Sequence, residues 1–208
     1  MHFLCTFFDF VCTKPHKTMK NIAILASGEG TNAERIIRYF TGHPSIQVVA
    51  VLTNKAEAGV IHRATSLGIP VEVLPASAFR EGKATDLLRQ YNTHFVVLAG
   101  FLLHIPNDML EAYPQAIVNI HPSLLPKFGG KGMYGSRVHQ AVLESGETES
   151  GITIHYIDGN YDEGDVILQA RCPVMPDDTP DTLANRVHQL EYEYYPKVIE
   201  EILIKEYQ

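Results

Sequence analysis

Tryptophan is absent from the 208 residues, and cysteine is scarce, with Cys5, Cys12 and Cys172 the whole complement. These three show no CxxC pair and no metal-ligand spacing, and an odd, sparse count suits a reducing cytoplasm. Positive charge is also short. The 17 Lys and Arg against 24 Asp and Glu leave a net charge of −7. That argues against nucleic acid as a partner, because neutralising phosphates takes clustered Lys and Arg. No apolar run approaches the ~20 residues a membrane span needs, so no membrane partner is expected. Repeats and low-complexity tracts are missing too. What remains is a hydrophobic content of 45%, enough for one substantial α/β domain.

Residues 1–18 differ from the rest. Met1 to Cys12 is aromatic and apolar, without the basic start or small-residue cleavage site of a signal peptide. Met19-Lys20 then leads directly into an apolar strand, Asn21 to Leu25. The expectation is that translation begins at Met19. On this reading 1–18 is an upstream extension outside the fold, and 19–208 is a single domain.

Within that domain, Ile22 to Ala26 is a short apolar run of the kind covered on both faces of a sheet. Ser27-Gly28-Glu29-Gly30-Thr31-Asn32 follows, and a helical pattern starts at Ala33. Glycines allow a tight turn, and a helix N-terminus offers unpaired N–H groups to a phosphate. A dinucleotide site would need a carboxylate after the second strand, Gln47 to Leu52, but Thr53-Asn54-Lys55 stands there. A phosphomonoester fits better, and a plain strand–helix turn is the alternative.

Helices are expected over Glu57 to Leu67, Ser77 to Tyr91 and Asn107 to Tyr113, interleaved with strands Val71 to Leu74 and Phe95 to Ala99. This alternation predicts a parallel, doubly wound sheet. Lys127 to Gly135 is glycine-rich and carries Lys127 and Lys131. It reads as a lid over an anionic ligand or as a surface loop. After a helix, Ser136 to Ser145, strands Gly151 to Ile157 and Val166 to Ala170 look like an antiparallel addition. The acidic loop between them lacks the spacing of an EF-hand, and no metal is expected. A last helix spans Asp181 to Tyr207, with a break expected near Pro196.

The chain is organised around Asn119-Ile120-His121-Pro122-Ser123-Leu124-Leu125-Pro126, which the apolar run Ala116-Ile117-Val118 feeds. Two residues apart on a strand, Asn119 and His121 share a face. They lie at a carboxyl end, where open α/β sheets hold ligands. An amide and an imidazole there can polarise a carbonyl and move a proton. A histidine that merely caps a strand end is the plainer alternative.

This octet, with Asp162-x-Gly164 and Ile167-Leu168-Gln169, resembles the folate-dependent formyltransferases, over Met19 to about Tyr207. Ser27-Gly28-x-Gly30-Thr31-Asn32, Thr53-Asn54-Lys55 and Val96 to Phe101 resemble the branch that acts on glycinamide ribotide. The resemblance implies a Rossmann-like, mostly parallel sheet with antiparallel C-terminal strands and helices on both faces. It implies transfer of a formyl group from 10-formyltetrahydrofolate, a co-substrate, to the ribotide amine in purine biosynthesis, without a metal. Asn119 and His121 would stabilise the oxyanion, and Asp162 would orient His121. Gly30, Thr31, Asn32 and Glu191 would bind the ribotide. Leu102, Leu103, His104 and Ile105 would line the folate pocket with Asn119, and Asp158, Gly159, Asn160, Tyr161 and Asp162 would form its other wall.

This sequence departs from the family pattern at Leu103, where a basic residue is common, and in a longer Lys127–Gly135 segment. Arg80 is shifted from the position of an arginine expected after Phe79. His139 and His155 have family counterparts, and His155 is read as a strand residue supporting the site. Small-molecule partners and a monomer or homodimer are expected. A tRNA formyltransferase would want a further basic domain, and a formyltetrahydrofolate hydrolase an N-terminal regulatory one. A sugar-nucleotide formyltransferase would leave Gly30-Thr31-Asn32 unexplained, and a ligand-binding sensor would have no use for a proton-transfer group.

Overall fold

A computed structural model describes residues 19–160 and 162–205. The proposed extension, Tyr161 and the last three residues lie outside them. Among the described residues seven strands form one sheet in the order β3-β2-β1-β4-β5-β6-β7. Strands β1 (Lys20–Leu25), β2 (Ile46–Thr53), β3 (Val71–Val73), β4 (Phe95–Leu98) and β5 (Ile117–His121) run parallel. Strands β6 (Glu149–Tyr156) and β7 (Val166–Pro173) add antiparallel to β5. The expected architecture is therefore the one observed.

Helices cover both faces because the strands are apolar on both. In β1, Ile22 and Ile24 pack toward one core and Ala23 and Leu25 toward the other. Helices α1 (Thr31–Phe40) and α2 (Val60–Ser66) and the long C-terminal helix contribute to the first core. Helices α3 (Ala76–Arg80), α4 (Lys83–Gln90) and α5 (Asn107–Ala112) contribute to the second. Helix α6 (Ser136–Glu144) precedes β6.

Two helix expectations need correction. The single helix over Ser77 to Tyr91 is two, α3 and α4, separated where Gly82 takes a left-handed φ of 79°. That conformation ends one helix and opens the next. Conversely, the C-terminal helix α7 (Pro180–Lys205) runs through Pro196 without a break. Proline removes a backbone bond there, but Tyr195, Pro196, Val198 and Ile199 are all buried, and that packing offsets the loss.

The sheet reverses direction of growth between β1 and β4, because β2 lies on one side of β1 and β4 on the other. A crevice opens at such a switch point. Helix α7 closes its floor. The Tyr195 hydroxyl lies 2.9 Å from the Leu98 carbonyl and 3.1 Å from the Val118 carbonyl, tying α7 to β4 and β5.

Candidate active site

The crevice is a cleft of about 970 Å³. The β1–α1 turn, the loop after β4, β5 with the loops that follow β5 and β6, and helices α6 and α7 build it. Asn119 and His121 lie on β5 and continue the face that Ile117 begins, so both reach the cleft. The strand extends through His121, three residues beyond Val118, where the apolar run ends.

Strand β6 pairs Asn119 directly with His155 and His121 with Thr153. His155 is fully buried. Its Nδ1 lies 2.9 Å from the Tyr156 carbonyl. A carbonyl can only accept, so Nδ1 carries the proton and Nε2 is bare. Burial pushes this ring below the usual imidazole range, against the opposing pull of the Tyr156 carbonyl and the Asp162 carboxylate. The ring is therefore neutral at pH 7. Nε2 then accepts from Asn119 Nδ2 at 3.1 Å, which fixes which way the amide points.

His121 is tied on its other edge. Its Nε2 donates to the Phe128 carbonyl at 2.8 Å, which leaves Nδ1 toward Asp162. The Asp162 carboxylate sits between two imidazoles: Oδ2 is 3.6 Å from His121 Nδ1 and Oδ1 is 3.6 Å from His155 Nε2. Oδ2 also accepts the Gly130 N–H at 2.8 Å. Asp162 adopts a positive φ of 58°. The turn beside it depends on Gly164, where any Cβ would run into the Tyr156 carbonyl. His121 and Asp162, 41 positions apart in sequence, are thus brought within 3.6 Å of each other.

At the opposite end Gly30 starts α1 with a φ of 77° and no side-chain cap. A Cβ at Gly30 would lie 2.5 Å from Val60 Cβ and 2.6 Å from its Cα. Thr31 and Asn32 follow in the first turn, where helix N–H groups lack intrahelical partners. Asn32 Nδ2 donates to Glu191 Oε2 at 2.8 Å, and the same oxygen lies 2.7 Å from His188 Nδ1. Glu191 is 4% exposed. Its hydrogen bond raises the His188 pKa, against burial.

The third wall is apolar. Leu102, Leu103, His104 and Ile105 line the cleft with Gly159, Asn160 and Asp162. His104 Nε2 lies 2.8 Å from the Gly159 carbonyl and joins the two loops. Asp158 does not line the cleft; its carboxylate accepts the Asn160 N–H instead. Tyr161 lies outside the described residues. Of the two lysines read as a lid, Lys131 lines the cleft, whereas Lys127 pairs with Glu147 at 2.7 Å. Among the described residues no group of three His, Cys, Asp or Glu side chains converges as a metal site.

Sequence reasoning passed over His188 and gave His139 no place in the cleft, which both line. The signal for His188 was present, since it precedes Glu191 by one helical turn. His139, on α6, carried no such local mark.

The same fold recurs in known proteins. A family model described as formyl transferase matches residues 20–199. The chain is 42% identical over 187 residues to the chloroplastic phosphoribosylglycinamide formyltransferase of Arabidopsis thaliana, covering 86% of this chain and 64% of that one. It is 34% identical to the phosphoribosylglycinamide formyltransferase of Haemophilus influenzae, covering 87% of this chain and 86% of that one. It therefore spans a little under two thirds of the plant relative. Among solved structures, glycinamide ribonucleotide transformylase 1 of Geobacillus kaustophilus superposes with a TM-score of 0.81 at 33% identity, covering 89% of this chain and 99% of that one. The chain belongs to the formyl transferase family.

Proposed function

We propose that this formyl transferase family member moves a formyl group from 10-formyltetrahydrofolate to the primary amine of 5-phosphoribosylglycinamide, a step of purine biosynthesis. The observation that carries the reading is the convergence of Asn119, His121 and Asp162 in one cleft with the uncapped start of α1. A polar trio alone fits many acyl transfers. An anion-ready helix end in the same cleft selects an acceptor that bears a phosphate.

In this mechanism the acceptor phosphate sits on the N–H groups of Thr31 and Asn32, and Asn32 and Glu191 hold the sugar. The apolar wall from Leu102 to Ile105 takes the pterin. The amine attacks the formyl carbon and an oxyanion forms. The second N–H of Asn119 and a proton on His121 Nδ1 stabilise it. The Phe128 carbonyl keeps Nε2 occupied, so Nδ1 is the nitrogen that faces the reacting carbon. Asp162, with Oδ2 3.6 Å from Nδ1, orients the ring toward the reacting carbon. Collapse breaks the bond from carbon to N10 of the folate, which takes a proton as the amine loses one.

A reducing compartment such as the cytoplasm suits the buried free thiol of Cys172. No helix among the described residues is long and apolar enough to cross a membrane. The test is an assay of the purified protein with 10-formyltetrahydrofolate and, in turn, the ribotide, tRNA and water alone as acceptor. Folate should be consumed only with the ribotide. Equal consumption in water would replace this reading with a hydrolase.

A further inference from the structure

We propose that His139 is a further binding residue for the phosphoribosyl part of the acceptor, offering an Nε2–H from α6 to a substrate oxygen. This rests on the ribotide reading above and extends it to a residue on a different helix.

His139 occupies a position where the fold calls for an apolar side chain. Its neighbours on the buried stripe of α6 are Val138 and Val142, and His139 itself is 2% exposed. Its Nδ1 is sealed from solvent and has no hydrogen-bond partner among the described residues. A buried polar atom without a partner weakens a fold, and a leucine there would not. The residue therefore contributes something other than packing. The ring lines the cleft. It meets the His188 ring edge-on, with centroids 6.5 Å apart, and His188 is bonded to Glu191, which is bonded to Asn32. His139 thus stands one ring away from the pair that holds the sugar.

The protonation state follows from the surroundings. Burial lowers the His139 pKa, His188 and His121 act in the same direction, and Glu191 opposes them. The ring carries one proton at neutral pH. An unpaired buried N–H is rarer than an under-satisfied acceptor. The proton therefore belongs on Nε2, and a phosphate or hydroxyl oxygen in the cleft completes it.

The experiment uses the full chain with two variants, His139→Leu and His139→Gln. Gln places an amide N–H near the position of Nε2; Leu fills the space with nothing to donate. Steady-state KM is measured for the ribotide and for 10-formyltetrahydrofolate, with ribose 5-phosphate as a competing probe. In His139→Leu the ribotide KM and the ribose 5-phosphate inhibition constant should both weaken roughly tenfold, the yield of one ordinary hydrogen bond. The folate KM should stay within twofold, and His139→Gln should restore most of the loss. Unchanged constants in His139→Leu overturn the proposal. So does an equal weakening for both substrates with a lower Tm in both variants, which marks a structural role. Wild-type protein that binds ribose 5-phosphate but never formylates the ribotide sinks the functional reading while leaving this contact standing. Failure to bind ribose 5-phosphate sinks the contact.

Discussion

Asn119 Nδ2 lies 3.1 Å from His155 Nε2, and the two residues face each other directly across the β5–β6 pairing. The bare nitrogen of a buried ring thereby sets the direction of the amide. His155→Phe should release it. We expect kcat to fall about tenfold or more, as one orienting hydrogen bond is lost, with ribotide KM nearly unchanged. Steady-state kinetics on both substrates check this, and a normal kcat would show that Asn119 needs no such support.

Asp162→Asn keeps the shape of the side chain and removes its charge. The amide can still accept from Gly130, so the loop should stay in place. Formyl transfer should fall by about two to three orders of magnitude, the scale of losing one oxyanion-stabilising group. Circular dichroism and Tm should match the wild type. Substantial turnover by this variant would remove Asp162 from the mechanism.

Gly30→Ala should fail on two grounds. The φ of 77° is costly for alanine, and the new Cβ would overlap Val60. The combined cost is about 2–4 kcal/mol. Val60→Ala should not rescue it, because the Val60 Cα itself lies 2.6 Å from the added atom. Urea denaturation of the single and double variants measures both points.

Stability should depend on pH through opposed histidines. His139 and His155 have lowered pKa values, chiefly from burial. In the unfolded chain they take up protons first, near pH 6.5, so their contribution is present above that and is lost as pH falls. His188 has a raised pKa through Glu191. Its contribution is full below about pH 6.5 and is lost as pH rises through its folded value. His155→Phe should therefore flatten the fall in urea midpoint between about pH 7 and 5. Glu191→Gln should steepen it by removing the opposing contribution of His188.

Much of the site was legible because it is local. Asn119 and His121 are two residues apart, and the period of a strand puts them on one face whatever the rest of the chain does. Gly28 to Asn32 likewise announces a strand–turn–helix unit from its own glycines. The alternation of apolar runs with helical patterns was enough for the parallel order, since strands covered on both faces read as continuous apolar stretches. Asp162, by contrast, was assigned through resemblance. Nothing in its own surroundings says that it faces a histidine far behind it in the chain.

The sequence by itself determined the doubly wound sheet, the turn that opens α1 and the shared face of Asn119 and His121, because each depends on the periodicity of a few neighbouring residues. Only the tertiary structure decided that His155 orients Asn119, that Asp162 stands between two rings, that His139 and His188 meet across two helices and that α7 runs straight through Pro196. Each of these depends on which strand register or helix face is pressed against another, and burial energy summed over the whole core sets that.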